Sequence, residues 1–554
     1  MEQKIKKGHP KGLYTLFATE MWERFSYYGM RALFTLYLTA ELINGGFGLS
    51  EADALKLYAV FTGLVYLTPI LGGWVADKFL GKRKTVYIGG FVMAIGQFLL
   101  AGSAFLADSL PSESRLTLFN FGLGVLIIGN GFFKPNISTI VGDFYDDNDP
   151  RKDSAFNIFY MGINLGAILG PFIAGVLGEK IAWGWGFFSA GIGMIISVLW
   201  LFYRENTLEN KGLPPNSEPN KMVLDKKDWR DIIIYSIGLV FITYVIMTIW
   251  RLLPSHITDI ITILGFAAIV LGLAYVIIKG IEKGDAWKKK FYGVAAIVVI
   301  FLIVKYGGIW EALSEDVQKY LLIGISILAL VGIIFLLRSE NKDWSRMGVI
   351  ITLAFFNIAF WAGFEQAGGT FNIFARDYTN RIIFGWEVPA SWFQNINPIA
   401  ILILAPIFSV VWLKLDKMKL NPRTSIKFAL GLFFGALAFF IMTQAQNLID
   451  NGVPKVSPLW LLVVYLILTI GELMLSPIGL SMITKLANPK LVSVVMGLWM
   501  ASFAAGNFMA GMLKSILTTY DLPLYPFIMW LMLGAGLIIV ALSPLLNKAM
   551  KGIH

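Results

Sequence analysis

The twelve residues Glu20-Met21-Trp22-Glu23-Arg24-Phe25-Ser26-Tyr27-Tyr28-Gly29-Met30-Arg31 place four ionisable side chains inside an otherwise apolar segment, roughly residues 13–42. At helical spacing, Glu20, Glu23, Arg24, Tyr27, Tyr28 and Arg31 fall at i, i+3, i+4, i+7, i+8 and i+11, one continuous polar stripe. At ~1.5 Å per residue the segment is long enough to cross a bilayer. Each charge at mid-helix costs ~2.5–3.5 kcal/mol on insertion scales. Pairing of opposite signs one turn apart lowers that cost, yet a helix with only a structural task would use leucine. The stripe therefore reads as a polar pathway for ions or substrate.

Few other charges stand at membrane depth. Lys134 lies in Gly129-Asn130-Gly131-Phe132-Phe133-Lys134-Pro135-Asn136, Glu365 in Trp361-Ala362-Gly363-Phe364-Glu365-Gln366-Ala367-Gly368-Gly369, and Glu472 in Gly471-Glu472-Leu473-Met474-Leu475-Ser476-Pro477. Glycine and proline beside each allow close helix approach and local loss of backbone hydrogen bonds, as helices around a gated cavity require. Arg24, Arg31 and Lys134 give the amino-terminal half an excess of positive charge, and Glu365 and Glu472 make the carboxy-terminal half negative. A cavity between the halves would match a zwitterion with a carboxylate at one end and an ammonium at the other. Tyr27, Tyr28, Tyr66, Asn164 and Asn397 add hydrogen-bonding groups without charge.

The elements that position these residues follow from composition. Of 554 residues 56% are hydrophobic and only 15% charged, and the mean hydropathy is +0.68. Apolar blocks of bilayer length alternate with short polar loops, the pattern of an all-α polytopic membrane protein; the period-two alternation of a β-barrel is absent. Cysteine is absent and the three histidines, His9, His256 and His554, avoid the middle of any expected span, so disulfides and a histidine metal site are excluded. No cofactor is expected. The net charge of +10 sits at helix ends and is not a nucleic-acid signature. No cleavable signal peptide is evident, and the first helix is expected to act as its own insertion signal.

Six spans are expected over the amino-terminal bundle, 1–203, at about 13–42, 53–76, 85–107, 116–141, 155–178 and 184–203. A polar linker, 204–230, contains Leu213-Pro214-Pro215-Asn216-Ser217-Glu218-Pro219. Four inserted helices are expected in 231–346, at about 231–250, 257–279, 291–309 and 319–338. A second six-helix bundle, 347–554, holds spans at about 347–372, 391–413, 425–446, 458–486, 491–518 and 524–546. Sixteen spans result. Lysine and arginine gather on one side, in the amino-terminal tail, at Lys78–Lys84, Lys288–Lys290 and Lys414–Arg423, and in the last residues, which predicts cytoplasmic termini. Asp77 to Thr85 and Asp416 to Thr424 form similar acid-then-base loops at corresponding places in the two bundles, as in a duplicated transporter.

Glu20-x-x-Glu23-Arg24-Phe25-x-Tyr27-Tyr28 resembles the ExxERFxYY motif of the proton-coupled oligopeptide transporters, a family of the major facilitator superfamily. Gly72-Gly73-Trp74-Val75-Ala76-Asp77 through Lys84 resembles the superfamily's loop between helices two and three. Phe156-Asn157-Ile158-Phe159-Tyr160-Met161-Gly162-Ile163-Asn164-Leu165-Gly166 resembles the family's FYxxINxG signature, and Trp361, Glu365-Gln366, Asn397-Pro398 and Gly471-Glu472 through Ser476-Pro477 match in order. The 231–338 block lies outside the resemblance.

This resemblance implies a twelve-helix core of major facilitator fold, bacterial type, importing di- and tripeptides with protons by alternating access, with no enzymatic activity. It implies a monomer in the bacterial cytoplasmic (inner) membrane whose partners are peptides, protons and the lipid bilayer. Glu20, Glu23, Arg24 and Glu365 would couple protons, with Lys134 also able to pair across the halves. Arg31 and Lys134 would hold the peptide carboxylate and Glu472 its amino group. Tyr27, Tyr28, Tyr66, Asn164, Trp361, Asn397 and Ser476 would touch the peptide, and Asp77, Lys82 and Arg83 would form a gating loop. Two departures stand out: relatives in bacteria carry two inserted helices where four are expected here, and the second-helix histidine of animal relatives is missing. The competing readings are the same fold with nitrate, an organic acid or a drug as cargo, and a membrane enzyme or receptor. Retention of both Lys134 and Glu472 argues against the former. No converging nucleophile or metal set supports the latter.

Overall fold

The apolar blocks form helices because, away from water, a backbone satisfies its own polar groups only within a helix or a closed barrel. The computed structural model describes residues 8–146, 149, 151–214, 217–218, 221–252, 270–282, 284–306, 312–488 and 491–550. The first bundle comprises α1 (Lys11–Thr39), α2 (Glu51–Leu67), α3 (Lys82–Phe105), α4 (Ser112–Gly142), α5 (Lys152–Val176) and α6 (Trp183–Arg204). Between the bundles lie α7 (Lys226–Leu252), α8 (Val270–Ile281), α9 (Ala286–Tyr306) and α10 (Glu315–Leu337). The second bundle comprises α11 (Lys342–Phe364), α12 (Thr370–Tyr378), α13 (Ile396–Lys417), α14 (Thr424–Asp450), α15 (Leu459–Leu486), α16 (Val492–Thr519) and α17 (Leu524–Met550). One short hairpin, Ile382–Ile383 against Trp386–Glu387, caps the second bundle.

Among the described residues twelve helical spans are long and apolar enough to cross a membrane, so the chain is a multi-pass membrane protein. α1 is not one of them, because Glu20, Glu23, Arg24 and Arg31 interrupt its apolar run. Those four are nonetheless buried, inside the bundle and not against lipid. Of the four expected inserted helices, α7, α9 and α10 occupy the first, third and fourth places. The second meets α8 at its end, and its earlier residues, to 269, lie outside the described residues.

Two expected spans are broken. The second helix stops at Leu67 and restarts as Pro69–Val75, followed by a π-turn at Ala76–Leu80; Pro69 has no N–H to continue the ladder. The seventh core helix, expected to run through 372, gives way to a 3-10 turn at Glu365–Gly368 between α11 and α12. The freed groups are satisfied by side chains. Gln366 Nε2 donates to the carbonyls of Ala362 and Ala510 at 3.1 and 2.8 Å, and the Tyr465 hydroxyl donates to the Ala367 carbonyl at 3.2 Å.

Packing repeats between the bundles. α1 packs on α5 and α6, and α3 on α4 and α6; correspondingly α11 packs on α16 and α17, and α14 on α15 and α17. The Asp77 and Asp416 loops follow the second helix of each bundle, so the sequence repeat maps onto a structural one. The bundles meet along α2 against α16 and α5 against α13. At the α2–α16 crossing a Cβ on Gly511 would stand 2.2 Å from the Leu55 carbonyl oxygen, so only glycine permits that approach.

Candidate substrate and proton site

α1 runs through the middle of the first bundle and carries its polar stripe to the seam. Midway along α1, Arg24 Nε lies 3.0 Å from Glu20 Oε1 and also bonds the Glu23 carboxylate. Asn130 Nδ2 on α4 donates to Glu23 at 3.4 Å. One guanidinium thus serves two carboxylates, all buried. Glu20 Oε2, Arg24 Nη2 and Asn130 Oδ1 make no hydrogen bond here. Tyr27 packs under Arg24, with 5.3 Å from the guanidinium to the ring centre.

Two turns further along α1, Arg31 leaves its own bundle. Its Nη2 stands 2.5 Å from Glu365 Oε2 in the α11–α12 break, and its guanidinium lies 5.8 Å from the Tyr28 ring centre. Both partners are buried. Around this pair the halves are stitched together. Thr35 Oγ1 donates to the Gly368 carbonyl at 3.0 Å, Asn372 Nδ2 to the Ala32 carbonyl at 2.7 Å, and Arg376 Nη1 to Thr39 Oγ1 at 2.8 Å.

A second set of links closes the same side of the seam between α5 and α13. The Glu179 carboxylate accepts from the backbone N–H groups of Ala390 and Ser391 at 2.8 and 2.9 Å. It caps a helix start that belongs to the other bundle. Lys180 Nζ reaches Glu387 at 3.0 Å, and Arg381 holds the same carboxylate at 2.9 Å. The Lys180 and Arg381 partners keep the Glu387 carboxyl below its ordinary range. Trp392 stacks on Phe172 at 4.2 Å and donates to its carbonyl at 3.1 Å.

Lys134 and Glu472 remain. Neither makes an ion pair among the described residues. Lys134 Nζ lies 4.4 Å from the centre of the Tyr66 ring, within electrostatic reach of Arg24, Glu23, Glu20 and Glu365. Glu472 accepts a hydrogen bond from Asn397 Nδ2 at 2.8 Å, and Asn397 also donates to Thr469 at 3.0 Å. Tyr66 faces Phe503 across the seam at 6.3 Å, and Phe503 meets Trp361 at 4.7 Å, so an aromatic row joins the halves beside Lys134. The Trp361 indole N–H and the Ser476 hydroxyl are buried without a hydrogen-bond partner. Asn164 Nδ2 donates to the Tyr160 carbonyl at 3.0 Å, which leaves its carbonyl oxygen as an acceptor.

The structure adds partners to two expected site residues. Arg31, expected to hold a peptide carboxylate, is held by Glu365 across the seam. Arg83, expected in a gating loop, is buried beneath the linker; it donates to the Lys211 and Met222 carbonyls at 2.6 and 2.5 Å and to that of Glu209, with Glu205 at 3.6 Å. Lys82 pairs with Asp143 at 2.8 Å within the same bundle, and Asp77 is exposed. The 204–230 segment is thus anchored to the first bundle by a cation that needs carbonyls once buried.

Sequence reasoning missed Tyr58, Asn130 and Thr469. Asn130 precedes Lys134 by one helical turn, and Tyr58 precedes Tyr66 by two, so each shares a face with a residue already singled out. Among the described residues no group of three or more histidine, aspartate or glutamate side chains is arranged to hold a metal.

A family model described as the POT family matches residues 83–224 and 260–528. The peptide transporter YePEPT of Yersinia enterocolitica is 32% identical over 522 residues, covering 94% of this chain and 90% of that protein. A di-/tripeptide transporter of Lactococcus lactis is 32% identical over 502 residues, covering 89% of this chain and 86% of its own length. The uncharacterized transporter YclF of Bacillus subtilis is 33% identical over 547 residues, covering 99% of this chain and 96% of that protein. Among solved structures, a peptide transporter POT in complex with sulfate superposes with a TM-score of 0.70 at 32% identity, covering 99% of this chain and 98% of the other.

Proposed function

This chain belongs to the POT family, and we propose that it is a proton-coupled symporter that imports di- and tripeptides by alternating access. The observation that carries the reading is a pair of opposite charges without ion-pair partners near the seam. Arg31 is held by Glu365, whereas among the described residues Lys134 on the first bundle, beside Tyr66, and Glu472 on the second, held by Asn397, make no ion pair. A peptide zwitterion supplies the missing partners: its carboxylate goes to Lys134, joined by Arg31 once that is free, and its ammonium to Glu472. Tyr27, Tyr28, Tyr66, Asn164, Asn397 and Ser476 offer hydrogen bonds to its backbone, and Trp361 shapes a side-chain pocket. The names of the curated relatives, peptide and di-/tripeptide transporters, support the same cargo.

In this reading both termini are cytoplasmic, in a bacterial inner membrane, and the links around Arg31–Glu365 and Glu179 close the outer side. The bundles are 1–203 and 347–554, the linker 204–230 and the inserted helices 231–346, in a functional monomer. Protonation of Glu365 removes the anion that holds Arg31, the outer links part, and peptide enters. Peptide bridging Lys134 and Glu472 then draws the bundles together on the outer side around the loaded site and the inner side opens; release of peptide and proton inward lets the Arg31–Glu365 pair re-form and hold the outer side shut. Glu20, Glu23 and Arg24 hold protonatable groups beside Lys134 so that cargo and proton are felt together. Each proton moving inward down 100 mV releases about 2.3 kcal/mol, enough for roughly fifty-fold accumulation.

The test is uptake of labelled dipeptide into proteoliposomes under an inside-negative potential and a proton gradient. Competition by a tripeptide but not by a free amino acid, with loss of uptake on adding a protonophore, is expected. Uptake indifferent to the protonophore overturns proton coupling. No peptide uptake by folded protein moves the assignment to another cargo.

A further inference from the structure

The Arg31–Glu365 pair has a third member that no motif announces. Tyr58, on the second turn of α2, is fully buried. Its hydroxyl accepts from Arg31 Nε at 2.8 Å and donates to Glu365 Oε2 at 3.3 Å, the oxygen that Arg31 Nη2 meets at 2.5 Å. Three elements, α1, α2 and the α11–α12 break, therefore close a triangle of hydrogen bonds on one carboxylate oxygen. Phe34 packs edge-on against the Tyr58 ring at 5.5 Å and holds it in place. From the other bundle, Gly368 leaves room for the hydroxyl: a Cβ there would lie 2.1 Å from the Tyr58 oxygen and 3.1 Å from Arg31 Nε.

We propose that Tyr58 is a positioning residue of the outer closure, holding the Arg31 guanidinium in the orientation in which it meets Glu365. The proposal rests on the reading of Glu365 as the proton-binding carboxylate. A guanidinium presents a rigid fork, and with its Nε fixed on Tyr58 only its outer edge is left for the carboxylate. A hydroxyl suits this place because one atom both accepts from the cation and donates to the anion. When Glu365 takes a proton the ion pair is lost, yet the Arg31–Tyr58 bond lies wholly within the first bundle. The second bundle can then withdraw while Arg31 stays in register for the next closure. Without the hydroxyl, a buried N–H and a buried carboxylate each lose a partner, and the closed outer side opens more often without a proton. That is slip: peptide leaks back and the gradient it sustains shrinks.

Tyr58→Phe keeps the ring and removes only the oxygen. The steady-state ratio of internal to external dipeptide, under a fixed proton gradient, is the readout, because loss of active protein slows filling without changing the ratio. The variant is expected to lower this ratio about fivefold, the factor that one net hydrogen bond commands. Peptide-for-peptide exchange without a gradient is expected to continue at no less than the wild-type rate. A variant that fills slowly to the wild-type ratio has lost only packing, and overturns the proposal; so does one whose exchange falls in step with its uptake. Failure of the wild type to accumulate peptide, or full accumulation by Glu365→Gln, would instead remove the reading beneath it.

Discussion

Arg31 and Glu365, 334 residues apart in the chain, meet at 2.5 Å across the seam between the two bundles, both buried. A buried ion pair is no simple source of stability, since desolvation offsets much of its attraction, but removing one partner strands the other and is strongly unfavourable. Under the proposed proton binding to Glu365 that asymmetry would make the pair a switch, since a proton there acts as the removal of one partner.

Glu365→Gln mimics the protonated carboxyl permanently. The variant is expected to lose accumulation, its internal-to-external peptide ratio falling from the roughly fifty-fold that one proton can sustain at 100 mV to about unity. Exchange of labelled for unlabelled peptide should persist, since Lys134 and Glu472 are untouched. Concentration of peptide against a gradient by this variant would exclude Glu365 as the coupling site.

In the proposed reading Lys134 and Glu472 recognise opposite ends of one molecule, so their substitutions should separate by substrate. Glu472→Gln is expected to raise the KM of a free dipeptide about ten- to a hundredfold, the range of a charge-assisted hydrogen bond, and to leave an amino-acetylated dipeptide little changed. Lys134→Gln should penalise both and spare a dipeptide amide. Kinetics with the three peptides check this, and equal losses on all of them would remove the end-to-end assignment.

Glu179 caps a helix start in the opposite bundle through two backbone N–H groups. Loss of a cap costs about 0.5–2 kcal/mol, so Glu179→Ala should let the outer side open about fivefold more often. The chain contains no cysteine, which makes Ser391→Cys, buried at this seam, a clean reporter. Its labelling by a membrane-impermeant maleimide is expected to accelerate when Glu179 is changed, and unchanged labelling would show that the cap does not bear on opening.

Acid stimulation of uptake should not run through Glu387. Lys180 and Arg381 hold its carboxyl below the ordinary value, so the link it makes is present above the unfolded carboxyl's range and is lost only as pH falls through the still lower folded value. Between pH 5 and 7.5 it stays ionised. Glu387→Gln is therefore expected to leave the shape of the uptake-versus-pH curve unchanged over that window. A displaced curve would assign Glu387 a part in proton sensing.

Much of this protein was legible in one dimension. The bilayer demands runs of apolar residues, so helices announce themselves by length, and each exception to apolarity (the α1 stripe, Lys134, Glu365, Glu472) points to the seam. The resemblance rested on short motifs, and these remain recognisable because charges at membrane depth are few. Partnership was another matter. Nothing local says that Arg31 pairs with Glu365 and not with a cargo, that Arg83 spends its donors on linker carbonyls, that Tyr58 completes a triangle, or that Glu179 caps a helix 211 residues away. The sequence determined which groups sit at membrane depth, through the cost of burying them. Only the tertiary structure decided which groups satisfy one another and which are left for a ligand, because hydrogen bonds and ion pairs depend on distances of a few ångströms between helices that the chain connects in no particular register.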